Sequence, residues 1–173
     1  QMKREILSFS NKISRKLPKP EKKFIADMNY GILASGSCLL TDIVDQLHES
    51  SQKINIVDRL SRHLSKGTPQ DALKSYLLQV KKWCPKHPVI HIDDSDVVKP
   101  DGYKFESLGW VRDGSESTTT KNVYKKGYHV TEATVLTNSN HPVSIFSEIH
   151  SSEEKDFTSI NTVTFSAMER AAS

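Results

Sequence analysis

The stretch Val89-Ile90-His91-Ile92-Asp93-Asp94-Ser95-Asp96-Val97-Val98-Lys99-Pro100 divides the chain into two kinds of periodicity. Val89, Ile90 and Ile92 form a short β-prone apolar run that ends in the acids Asp93, Asp94 and Asp96. Before it, apolar residues recur every three or four positions, as on a helix; after it, long β-prone runs alternate with polar turns. The expectation is an α+β chain, with a helical region over residues 1–87 and a strand-rich region over 88–173.

Working back from the run, residues 3–17 carry a helical stripe of Ile6, Phe9, Ile13 and Leu17, stopped by Pro18 and Pro20. A second helix begins near Glu21 and terminates at Gly36. A third covers residues 38–48 through Leu39, Leu40, Ile43, Val44 and Leu47, and a fourth covers 53–64 through Ile54, Ile56, Val57, Leu60 and Leu64. Gly67-Thr68-Pro69 breaks the chain before a fifth helix over 70–82.

Forward of the run, residues 114–120 read as an exposed loop, residues 127–137 as a long strand, and 142–149 as its hairpin partner across Asn138-Ser139-Asn140-His141. The tail, 153–170, reads as a helix on Phe157, Ile160, Val163, Phe165 and Met168. No stretch approaches the roughly 20 apolar residues of a membrane span, and residues 1–10 lack a secretory apolar run, so a cytoplasmic location is expected. Cys38 and Cys84 have no metal-ligand or disulfide-framework spacing and are expected to be ordinary buried or half-buried thiols.

Charge is distributed unevenly. Residues 1–90 hold 16 Lys+Arg against 8 Asp+Glu, a balance of +8, whereas 91–173 hold 8 against 13, a balance of −5. Such asymmetry fits a polyanion-binding part joined to an acidic part, although a basic helix also solvates its own outer face. Arg15, Lys16, Lys19, Lys22 and Lys23 crowd around two prolines and make the best phosphate-binding candidates. Helices three and four have the order of a helix-turn-helix with a loosely suited connection at 49–52; in that arrangement Arg59, Arg62 and Lys66 face the duplex.

A strand that runs into acids is the recurring geometry of two-metal nucleases, because it holds a carboxylate rigidly where Mg²⁺ can bridge it to a phosphate. Taken alone, an acidic turn after a strand is a solvated turn. The order of elements adds to it: an acid-bearing strand, two antiparallel strands and a helix are how an RNase H-like sheet begins. Residues 92–100 resemble the first-aspartate motif of bacterial insertion-sequence DDE transposases. Val111-Arg112-Asp113-Gly114-Ser115, Lys126-Gly127-Tyr128-His129, His141-Pro142-Val143-Ser144 and residues 147–161 are similar to the strands and entry helix that follow it. Upstream, residues 28–37 with Ile43, Leu47, Arg59, Leu60, Ser61 and Leu64 resemble the helical region of those enzymes.

The resemblance implies that Asp94, before Ser95, matches the first catalytic aspartate and binds Mg²⁺ or Mn²⁺, with Asp93 a rival metal ligand or helper and Asp96 a second rival. It implies metal-dependent cleavage and strand transfer at double-stranded transposon ends, a nucleoid-associated bacterial protein, and a homodimer or a full-length transposase as protein partner. The second aspartate and the glutamate of the family have no counterpart before Ser173, so the expectation is an incomplete RNase H-like domain that is inactive alone. Glu132, Glu148, Glu153 and Glu154 read as surface charge. His129, His141 and His150 fit no recognised metal spacing, and Trp83 and Trp110 read as core or edge packing. The rival functions are a non-catalytic DNA-binding module, retained for end recognition or as an inhibitor of a full-length relative, and a protein-interaction domain.

Overall fold

In the computed structural model, residues 1–172 are described, and the chain divides into two compact units, Gln1–Lys82 and Trp83–Ser173. Six helices and one four-stranded antiparallel sheet are present among the described residues, a mixed α and β composition. None of these helices is long and apolar enough to cross a membrane.

The first unit follows the helical stripes. Helix α1 (Met2–Ile13) buries Ile6 and Ile13, and ends at Ser14 rather than running to 17. Two serines explain the early end: Ser10 and Ser14 donate from Oγ to the carbonyls of Ile6 and Ser10 at 2.8 and 2.7 Å, competing with the helical ladder. Helix α2 (Lys19–Ser35) has proline in its first turn and stops at Gly36, whose φ of 66° is the left-handed conformation expected of a terminating glycine. Helices α3 (Leu40–Leu47) and α4 (Lys53–Leu64) then close a core of Phe24, Ile43, Val44, Ile56 and Leu60. Gly31 allows α2 and α3 to approach closely, since a Cβ there would collide with the Ile43 side chain. Helix α5 (Gln70–Trp83) ends the basic region.

In the second unit, β1 (Ile90–Val98), β2 (Gly109–Arg112) and β4 (Pro142–His150) all pair with β3 (Tyr124–Leu136). β2 occupies the first part of one edge of β3 and β4 the remainder, while β1 takes the opposite edge. On β3, Gly127, Thr131, Ala133 and Val135 alternate as buried residues. Helix α6 (Ile160–Ala172) packs on β1, β3 and β4 and buries Val163 and Ala167, covering that face. Its start is later than 153 because Ser159 caps it, with the Thr162 amide donating to Ser159 Oγ at 3.3 Å.

Where β1, β2 and β3 meet, Gly127 pairs with both Val98 and Gly109, and any Cβ on it would strike the Val97 carbonyl and Val111. The expected loop at 114–120 is held by Asp113, whose Oδ1 accepts from the amide and hydroxyl of Ser115 and the amide of Glu116. Lys125 lies 2.8 Å from the other Asp113 oxygen. Trp110 and Trp83 are not core residues: they are 59% and 42% exposed, and the Lys126 ammonium sits 4.7 Å from the Trp110 ring centroid. Cys38 is likewise exposed and Cys84 half-buried, and neither is in a disulfide.

Two outcomes test this packing. Ile43→Ala is expected to cost about 2–5 kcal/mol in denaturant unfolding, whereas Leu39→Ala, at a position 65% exposed, is expected to stay within about 0.5 kcal/mol. Lys125 and then the Ser115 hydroxyl hold the Asp113 carboxyl down to about 2 from an ordinary 3.8. A depressed carboxyl stabilises the fold above its unfolded value and ceases to do so as pH falls through its folded value. Stability should therefore fall between about pH 4 and pH 2, and Asp113→Asn should remove that part of the decline in thermal melts taken against pH.

A candidate carboxylate site on the covered face of the sheet

β1 does not end at its acids. Asp, Asn and Ser have little strand preference, but nine consecutive residues from Ile90 to Val98 pair with Val135 back to Gly127, and this ladder carries the strand through Asp93, Asp94, Ser95 and Asp96. Alternation then separates the two leading metal candidates. Asp94 and Asp96 share the face of Ile90, Ile92 and Thr131, while Asp93 lies on the other face opposite Glu132. Asp93 and Asp94 thus do not converge on one point.

On the covered face, Thr131 is wholly buried and donates to Asp94 Oδ1 at 2.5 Å. Its Oγ1 also lies 2.9 Å from His150 Nε2. His150 is 2% exposed, its ring stacked with Phe157 at 6.0 Å and with His129 at 5.7 Å between centroids. His129 Nδ1 in turn lies 2.6 Å from Asp96 Oδ1. Asp94 remains exposed, so a carboxylate reachable from solvent is fixed from beneath by a buried hydroxyl and imidazole.

His150 reaches this position through one irregularity. The β3–β4 ladder runs Leu136↔Pro142, Val135↔Val143, Thr134↔Ser144 and then Ala133↔Phe146, so Ile145 is an extra residue. An unbroken ladder would bring residue 149 opposite 129; the bulge brings His150 instead, leaving Ile149 64% exposed. His129 and His150, whose spacing in the sequence fits no recognised metal site, are therefore direct cross-strand partners.

Among the described residues no group of three His, Cys, Asp or Glu is arranged to hold a metal ion. Asp94 with an engaged oxygen, and Asp93 turned away, do not fit Mg²⁺ or Mn²⁺ by themselves, so no metal-dependent step follows from these residues.

The basic candidates separate as well. Arg59 Nη1 and Nη2 lie 2.8 and 2.6 Å from Asp27 and Glu49, and Lys23 Nζ lies 2.9 Å from each of the same carboxylates. This four-charge network ties α2 and α4 to the turn after α3, and it raises the Lys23 ammonium pKa: burial opposes the charge, but hydrogen bonds to Asp27 and Glu49 outweigh it. Lys23 and Arg59, expected to meet phosphates, are both paired with carboxylates of the same unit, Arg59 half-buried and Lys23 exposed. Arg15, Lys16, Lys19, Arg62 and Lys66 are exposed and Lys22 is half-buried. The sequence reading missed Arg4 and Lys12, which with Arg15 line a shallow depression along α1 that also includes Lys3. Their signal was available: positions 4, 8, 11 and 12 of α1 lie on the side away from the buried stripe of 6, 10 and 13.

Comparison with known proteins found no matching protein family, no similar curated protein and no similar solved structure.

Two further outcomes are expected. Arg59→Ala should destabilise the first unit by about 1–3 kcal/mol, as for hydrogen bonds to charged groups, measured by chemical denaturation. Deleting Ile145 should straighten the ladder and leave His150 opposite His129, because Ser144 and Phe146 then meet Thr134 and Ala133 in succession, so that diethyl pyrocarbonate modifies His150 slowly in the deletion variant and in the wild type alike. Ready modification of His150 in the deletion variant would contradict the register described.

Proposed function

We propose that this chain is an N-terminal portion of a DDE transposase, joining a basic helical DNA-binding unit to the opening strands and helix of an RNase H-like unit. The observation that carries the reading is Asp94: it lies inside the first strand of the β1–β3–β4 antiparallel meander, on the face covered by the following helix. The resemblance puts the first catalytic aspartate where the first strand runs into its acids, and Asp94 is one of the acids of that strand. Asp94 would contribute one carboxylate to a divalent-metal centre, and the other ligands are not supplied by the described residues. Cleavage and strand transfer therefore belong to a more complete catalytic unit, and the role of these residues is to bind and position double-stranded DNA.

Binding is assigned to the outer face of α1 and the segment leading into α2, with Arg4, Lys12, Arg15, Lys16 and Lys19 as phosphate contacts. Each contact neutralised by a cation releases counterions, so affinity falls with salt. Retardation of duplex DNA at low salt is expected. Arg15→Ala and Lys16→Ala should each reduce the slope of log affinity against log salt by about 1, whereas Arg59→Ala should leave the slope unchanged. Selection from a random duplex pool should enrich one motif, as recognition of a transposon end demands. Retardation without enrichment would overturn end recognition, and no retardation at low salt would overturn nucleic-acid binding altogether in favour of a protein-interaction domain.

A further inference from the structure

The contacts beneath Asp94 form a chain with a direction. A threonine hydroxyl carries one hydrogen, and here it is directed to Asp94 Oδ1. Thr131 Oγ1 can then only accept from its second neighbour, so His150 Nε2, 2.9 Å away, must carry the hydrogen of that bond. The remaining ring nitrogen agrees with this assignment. His150 Nδ1 is buried and has no hydrogen-bond partner. A proton there would be a buried donor without an acceptor, a more costly arrangement than a buried lone pair. Tautomer and hydroxyl orientation are thus fixed by the network as a whole.

The surroundings leave the imidazole little freedom to choose otherwise. Its ring is parallel to within 12° of Phe157 and 30° of His129, so it cannot rotate to exchange its nitrogens without disrupting both stacks. The groups around it are Thr131 from β3, the His129–Asp96 pair from β3 and β1, and Phe157 from the loop before α6. Thr131 also answers why a polar side chain occupies the most buried row of β3 among Ala133 and Val135: both of its bonding capacities are used, one on each side.

We infer that Thr131 and His150 are positioning residues for Asp94: His150, as the Nε2–H tautomer, donates to Thr131, which donates to Asp94 and holds its carboxylate in one orientation toward solvent. This deepens the proposed function and rests on it for the importance of Asp94, but the hydrogen-bond chain is testable without nucleic acid or metal. A side chain that only filled space at position 150 would have no reason to respond to a change at exposed Asp94.

The test is long-range proton–nitrogen correlation of the histidine rings, together with three-bond couplings that report the Asp94 χ1 rotamer. In the wild type, His150 should show a protonated Nε2 and unprotonated Nδ1, and Asp94 a single rotamer. In Asp94→Ala the Thr131 hydroxyl loses its acceptor, and because a proton on Nδ1 would still be a buried donor without a partner, the ring should keep the Nε2–H tautomer while its Nε2 proton resonance shifts with the loss of the polarising carboxylate. Thr131→Val should average the Asp94 rotamer, and Thr131→Ser, which keeps the hydroxyl, should restore it. A wild-type His150 protonated on Nδ1, or an Nε2 proton resonance unmoved in Asp94→Ala, would overturn the inference. Because neither readout involves DNA, a protein that retards no duplex can still pass this test, and one that binds duplex tightly can still fail it.

Discussion

Pairing along β3 is the constraint on which the second unit depends. It is the strand to which β1, β2 and β4 all bond, and its alternation decides which residue of each neighbour meets the covering helix. Because strand side chains have a period of two, a shift of one residue in any of these ladders would exchange the two faces. Asp94 would give way to an adjacent residue, and the carboxylate, hydroxyl and imidazole would no longer share a face. Gly127 is essential to this arrangement: the backbone of β1 and the side chain of Val111 occupy the space a Cβ would need, so the three strands converge only because that position has none.

The first unit depends on a different balance. Its apolar core is built from three short helices, two of them with 8 and 12 residues, which are marginal alone and become stable by packing. Around that core the Lys23, Asp27, Glu49 and Arg59 network converts two of the unit's cations into structural links. Exposed cations remain on α1 and the segment entering α2, and also at Arg62 and Lys66. Net charge alone therefore overstates the number of free phosphate contacts, since a cation half-buried against two carboxylates is not available to a ligand.

Much of this architecture is legible in the sequence, for physical reasons that also mark where reading stops. The stripes of Ile6 and Ile13, and of Ile56 and Leu60, identify helices because a local period of 3.6 survives any tertiary context. Gly36 and Pro18 mark boundaries because their backbone restrictions are intrinsic. The end of β1 was not legible: Asp93 to Asp96 have poor strand preference, and only pairing with β3 keeps them extended. Nor was the contact between His129 and His150. Extending the hairpin from its turn at 138–141 gives the opposite face for His150, and the correction comes from a single extra residue, Ile145, that no periodicity announces. Thr131 reads as an ordinary β-branched strand residue, and its role emerges only when Asp94 and His150 are brought to either side of it.

The site that results is a solvent-reachable carboxylate held by buried polar groups, and its central claim is that Asp94 and Thr131 act as a unit. A double-mutant cycle on Asp94→Ala and Thr131→Val, followed by denaturant unfolding, measures this most directly. The account predicts that the two effects are not additive, with a coupling of about 0.5–3 kcal/mol, as for residues that share a hydrogen-bond network. Additivity to within about 0.3 kcal/mol would contradict it, because the bond between them would then contribute nothing to the fold.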